Sequence, residues 1–106
     1  MRQRYKRMVS GMQRMSKRGA TYGGGKPYVL YIIECNDGSF YTGVTNDIER
    51  RLAEHNAGKA SRYTRTRLPV KLLYTESCAD RAAALVRECE VKRLSRKAKE
   101  RLVAGG

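Results

Sequence analysis

Acidic side chains are scarce in this sequence. Ten Asp and Glu stand against 23 Lys and Arg over 106 residues, a formal charge of +13. Self-repulsion of that size is relieved by a polyanion, so a nucleic acid or an anionic membrane surface is the partner to weigh. Long hydrophobic runs are missing as well. No segment is long enough to span a bilayer and none has the apolar middle of a signal peptide, which argues against a membrane and for a cytoplasmic or nucleoid location. Histidine occurs once, at His55, and the cysteines Cys35, Cys78 and Cys89 are odd in number with no C-x-x-C spacing. They form no recognisable zinc site and read as reduced thiols packed as small hydrophobes. A lone histidine leaves no Ser/His/Asp set, and the chain has neither a glycine-rich phosphate loop nor a two-carboxylate pair.

Apolar residues make up 41%, somewhat under the usual ~45–50%, which suggests that part of the chain does not fold. That part is legible. Eight basic side chains (Arg2, Arg4, Lys6, Arg7, Arg14, Lys17, Arg18, Lys26) and no acid fall within residues 1–27, where Gly23, Gly24 and Gly25 close a stretch with few apolar residues. Such a segment buries too little apolar surface to offset its ordering entropy. Residues 1–25 are therefore expected to be a disordered basic arm, or a stretch ahead of a later start at Met8, Met12 or Met15. The remainder, 26–106, is one folded domain; beyond residue 27, 15 basic and ten acidic side chains are left, a charge of +5.

From Tyr28 the pattern changes. Tyr28 to Cys35 is β-branched and aromatic, Asn36-Asp37-Gly38-Ser39 makes a turn, and Phe40 to Thr45 is a second β-rich run. Two such runs around Asp-Gly predict a hairpin. Asn46, with Glu49 three residues on, predicts a helix start, and Ile48, Arg51, Leu52 and His55 share one helical stripe that ends at Gly58. Residues 59–69 read as a basic loop and Val70 to Thr75 as a third strand. A helix follows from about Asp80 to Leu94, then a short one capped by Ser95 and running through Val103. The order strand, strand, helix, strand, helix, helix predicts an α+β domain: a three-stranded, mainly antiparallel sheet flanked by helices.

The hairpin register decides which side chains share a face. A two-residue turn places Tyr41 opposite Glu34, away from Tyr31. A three-residue turn with Gly38 left-handed places Tyr41 opposite Ile33 and Tyr31 opposite Gly43, so both phenols share a face around open space at Gly43. Arg51 and His55 lie one turn apart on the stripe facing the sheet. The guanidinium either snorkels outward or faces a ligand. Glu88, between Ala84 and Val91 at helical spacing, is either half of an ion pair, with Arg51 as a candidate, or a ligand for a hard cation. Together these groups suit phosphodiester cleavage: a carboxylate for a metal, an arginine for phosphate, a phenol to activate water.

Val29-Leu30-Tyr31, Tyr41-Thr42-Gly43, Arg51-Leu52 and Ala84-Leu85-x-x-Glu88 occur in an order that resembles the GIY-YIG nuclease superfamily, in particular its small stand-alone bacterial proteins. The resemblance covers about residues 26–103. It implies a GIY-YIG-type fold and a metal-dependent endonuclease, with Tyr31, Tyr41 and Gly43 in the two named motifs, Arg51 as the helix arginine and Glu88 as the metal-binding glutamate. His55, followed by Asn56, is similar to a histidine of several subfamilies. Val29 replaces the first glycine of the motif name. Val44 stands where excision-repair members have a lysine, which leaves His55 as the proton relay for Tyr31 as general base. A single carboxylate suits Mg2+ or Mn2+ completed by water and phosphate.

The nucleic-acid contacts expected beside Gly43 come from the basic loop: Lys59, Arg62, Tyr63, Arg65, Arg67 and Lys71, cations that position a backbone without reading its sequence. Tyr63 is placed to stack on an unpaired base or to cover the sheet edge. DNA is the first expectation, with selectivity drawn from nucleic-acid shape or from a partner protein. The alternative is a nucleic-acid-binding module that keeps the fold without turnover. A purely structural basic protein would explain the charge but not the Tyr/Arg/Glu set. If residues 1–25 are an arm, deleting them leaves the melting temperature almost unchanged and makes log affinity fall less steeply with log salt. A large drop in melting temperature would place them within the fold.

Overall fold

The computed structural model of the chain describes residues 27–105; the arm expected over residues 1–25 lies outside them. Strand β1 (Tyr28–Glu34) pairs antiparallel with β2 (Phe40–Thr45) on one side and β3 (Lys71–Cys78) on the other, giving the order β2-β1-β3. Being central, β1 is buried from Val29 through Ile33, and its apolar run reflects a strand covered on both faces. The turn is the three-residue form. Gly38 has φ 85°, its N–H donates to the Cys35 carbonyl at 2.9 Å and the Cys35 N–H donates to the Ser39 carbonyl at 2.8 Å. This left-handed glycine sets the register Ile33↔Tyr41 and Tyr31↔Gly43.

The sheet separates two apolar clusters. On one face Val29, Tyr31 and Ile33 pack with Ile48, Val70 and Leu72, and Tyr41, Leu52 and Leu68 close the edge. On the other Leu30 and Ile32 pack with Val91 and Val103, joined by Val44, Leu73 and Tyr74. Leu73 and Tyr74 turn to the same face because the β1–β3 register shifts between Ile32 and Ile33, the signature of a bulge.

Helix α1 (Ile48–Asn56) covers the first face, followed by a single turn, α2 (Arg62–Arg65). Helices α3 (Arg81–Lys92) and α4 (Arg96–Ala104) cover the second. Ser95 caps α4 as expected, and Asp80, where the preceding helix was expected to begin, caps α3, each accepting from the N–H three residues on. Three boundaries differ from the sequence reading. The α1 cap is Asp47, not Asn46: Asp47 accepts from the Arg50 N–H, while the Asp47 N–H is held by the Thr45 hydroxyl. Residues 59–69 are not all loop, because Ser61 caps α2 by accepting from the Tyr63 and Thr64 N–H groups. The third strand also runs longer, to Cys78.

The space expected at Gly43 is filled. Tyr31, opposite it in the register, lays its ring across the glycine, and a Cβ there would meet the phenolic oxygen at 2.5 Å and Cζ at 2.6 Å. Gly43 therefore admits the ring rather than leaving a notch. Since that ring is rigid and 1% exposed, Gly43→Ala should destabilise by about 1–3 kcal/mol, measured as a lower urea midpoint at unchanged m-value. A midpoint equal to the parent's would mean the ring can move aside freely.

Candidate active site

Tyr31 is carried by the central strand and His55 by the last turn of α1, whose Ile48 and Leu52 press the helix onto the same face. The two meet directly. The Tyr31 hydroxyl lies 2.9 Å from His55 Nε2, and His55 Nδ1 lies 2.9 Å from the Thr64 hydroxyl on α2. His55 and Thr64 are fully buried and Tyr31 is 1% exposed. The Tyr41 ring meets His55 edge-on, with centroids 5.3 Å apart, so both phenols of the hairpin flank the imidazole. Asn56 fastens this end of α1 to the chain entering β3: its side chain accepts from the Val70 N–H at 2.8 Å and donates to the Val70 carbonyl at 3.2 Å.

Arg51, one turn before His55, is half-buried. Its guanidinium acts on the Tyr31 oxygen electrostatically, and it donates to Glu54 at 3.1 Å. It therefore faces the site rather than snorkelling away. Burial pushes the Tyr31 phenol up to about 12, against the opposing pull of Arg51; the charge of Glu88 adds a small further rise. Burial, aided by the positive charge of Arg51, lowers the His55 imidazole to about 4, so it is neutral at physiological pH.

Glu88 sits on the α3 stripe with Ala84 and Val91. It pairs with Lys92 at 3.2 Å and not with Arg51. It is close enough to influence Tyr31 electrostatically and remains partly open to solvent. Among the described residues, no three His, Cys, Asp or Glu side chains converge as a metal cage.

The basic loop divides. Arg67 pairs with Asp37 at 3.0 Å and lies over the Tyr63 ring at 3.9 Å, and Lys71 pairs with Glu34 at 3.5 Å. Lys59, Arg62 and Arg65 are exposed, with no ion pair to another described residue. Tyr63 stacks with Tyr41, at 6.2 Å between centroids, and with Arg67; these contacts use ring surface that was expected to meet a base. Cys35 is buried and Cys78 half-buried, whereas Cys89 is exposed.

The sequence profile of the GIY-YIG catalytic domain matches residues 27–101. The chain belongs to the GIY-YIG family. It is 53% identical over 73 residues to a UPF0213 protein of Halobacterium salinarum, spanning 69% of this chain and 95% of that one. It is 47% identical over 79 residues to a UPF0213 protein of Bacillus cereus, spanning 74% and 82%. A protein of E. faecalis solved by solution NMR has a similar fold, with TM-score 0.53 and 42% identity over 74% of this chain and 84% of that one. GIY-YIG is a nuclease family, so a nucleic acid is the class of substrate the domain points to. No helix among the described residues is long and apolar enough to cross a membrane.

The structure thus gathers Tyr31, Tyr41, Arg51 and His55 around one point, with Glu88 near it. Sequence reasoning missed Thr64 and the bracing role of Asn56. Thr64 lies nine residues from its partner, in a segment read as loop, so no periodicity marks it; Asn56 carries only the hint of adjoining His55.

The state of His55 makes stability depend on pH. An unfolded histidine protonates near 6.5 and the folded one near 4, so between those values the unfolded chain binds the extra proton. The contribution is complete above about pH 6.5 and is lost as pH falls towards 4, by at most about 3 kcal/mol. Urea unfolding across that window should show the decline, and His55→Gln should flatten it. If parent and variant have the same slope, His55 is not held neutral.

Proposed function

We propose that this protein is a divalent-metal-dependent endonuclease that hydrolyses phosphodiester bonds, in DNA before RNA. The observation that carries the reading is the buried Tyr31–His55–Thr64 chain with Arg51 against the phenol, in a GIY-YIG domain. Tyr31 accepts a proton from the attacking water as its own proton passes to His55 Nε2. With the phenol near 12 and the imidazole near 4, a standing phenolate–imidazolium pair is far uphill, so Tyr31 passes the proton through rather than storing charge. Arg51 steadies negative charge on the phenol oxygen and on the phosphate beside it. Tyr41, packed edge-on against His55 and less buried than Tyr31, orients the water or the phosphate.

Glu88 suits a metal that keeps most of its waters. It is a hard oxygen donor, partly open to solvent, while both nitrogens of His55 are already engaged. Glu88 would hold Mg2+ or Mn2+, and when bound the ion would supply charge stabilisation at the phosphate. Lys59, Arg62 and Arg65 meet the backbone. Selectivity comes from nucleic-acid shape or from a partner protein, since phosphate contacts carry no sequence information.

One observation favours the second reading, a binding module without turnover: Tyr31 is buried with its proton held tightly, a poor starting point for a base. A cleavage panel of branched, nicked, single-stranded and duplex DNA and RNA, with and without Mg2+ or Mn2+, separates the two. The parent should cut, Tyr31→Phe should lose at least about a hundredfold in rate, and Glu88→Gln should abolish cleavage with binding and folding retained. Binding without cutting on every substrate would establish the module instead. Full activity in Tyr31→Phe with loss in Tyr41→Phe would exchange the roles of the phenols.

A further inference from the structure

Both nitrogens of His55 have hydroxyl partners at 2.9 Å, Tyr31 on Nε2 and Thr64 on Nδ1. A neutral imidazole has one N–H, so one hydroxyl donates to the ring and the other accepts from it. Two arrangements satisfy the ring, and only one allows the phenol to give a proton to Nε2.

The Tyr31 end decides between them. His55 Nε2 is the hydrogen-bond partner of the Tyr31 hydroxyl among the described residues, and the nearby Arg51 guanidinium has no acceptor to offer. If His55 Nε2–H donated to the phenolic oxygen, the hydroxyl hydrogen of a side chain 1% exposed would be left without an acceptor among the described contacts. A buried unsatisfied group of that kind is disfavoured. The Thr64 end agrees. Its hydroxyl can donate to the Ser61 carbonyl at 3.5 Å, the back-bond that threonine makes within a helical turn, which leaves its oxygen free to accept. That contact is long, so it supports the assignment without deciding it.

We infer that Thr64 is a positioning residue whose hydroxyl holds His55 in the Nδ1–H tautomer, leaving Nε2 bare to take the proton of Tyr31. The part of this that concerns the reaction rests on the nuclease reading. The placement is specific. Thr64 points into the site from a turn whose other residues, Arg62, Tyr63 and Arg65, are exposed, so the segment that presents cations to a polyanion also fixes the imidazole.

The chain contains one histidine, so long-range proton–nitrogen correlation spectra of the untagged, 15N-labelled full-length protein report a single imidazole. At neutral pH the parent should show Nδ1 protonated and Nε2 not. Thr64→Val, which keeps the shape and loses the hydroxyl, should shift the ring toward the Nε2–H form, and Thr64→Ser should keep the parent pattern. In cleavage assays Thr64→Val should lower kcat by about tenfold to a hundredfold, the range seen when the outer partner of a metal-bound histidine is removed, with KM little changed; Thr64→Ser should recover it. An Nε2–H imidazole in the parent, or an unchanged tautomer in Thr64→Val, overturns the assignment. Should the valine variant fail to fold, the parent spectrum and Thr64→Ala decide. If the tautomer responds as stated but the parent cuts nothing, the nuclease reading falls and the assignment stands.

Discussion

A phenol buried in the middle of a sheet must have its hydroxyl satisfied or lose about 1–3 kcal/mol, and much of this fold is arranged around that requirement at Tyr31. The ring fits only because the residue opposite it has no side chain. The hydroxyl is met only because α1 lies at the angle that Ile48 and Leu52 dictate, which brings His55 over the strand. The imidazole in turn needs a partner on its far nitrogen, and the single turn α2 provides it. Asn56 ties down the helix end that carries His55, taking both the N–H and the carbonyl of Val70 as a neighbouring strand would. Each contact constrains the next, from the central strand to the surface.

The electrostatics follow from the same burial. Arg51, charged as a guanidinium always is, stands beside Tyr31 and is shared with Glu54. Its charge and the burial together keep His55 neutral. A neutral imidazole against a protonated phenol leaves both buried partners uncharged, as their burial requires. By contrast, Thr75, facing Tyr31 from β3, is fully buried with its hydroxyl unpartnered among the described residues.

Most of the frame was legible in the chain. Asp37-Gly38 announced the hairpin, and the left-handed glycine chose the register that puts Tyr31 and Tyr41 on one face. Asp80 and Ser95 marked helix starts because their side chains accept local N–H bonds. Asn46 and Asp47 are both competent caps, and local chemistry alone does not choose between neighbours; the Thr45 hydroxyl does. The turn α2 is too short to persist on propensity. Its Ser61 cap and the His55–Thr64 contact hold it, and the latter exists only after folding. The partners of Glu88, Arg67 and Lys71 were illegible for the same reason, being set by which surfaces come together. Gly43 was recognised as special but misread, because an absent side chain signals either space or close approach.

The β1–β2 turn is gripped from both faces of the sheet. Arg67, beyond α2, holds Asp37, while Arg96, at the start of α4, donates to the Gly38 carbonyl at 2.9 Å and lies over the Phe40 ring at 3.8 Å. Arg67 and Lys71 therefore arrive at any polyanion with carboxylates already attached, and each must exchange an internal partner for a phosphate. The loop offers less uncommitted charge than its composition suggests. Under the proposed function, a bound strand that captured Arg67 would free Asp37 to repel it, so the turn would discourage backbone from straying beyond the cations of α2 and would set an edge to the footprint.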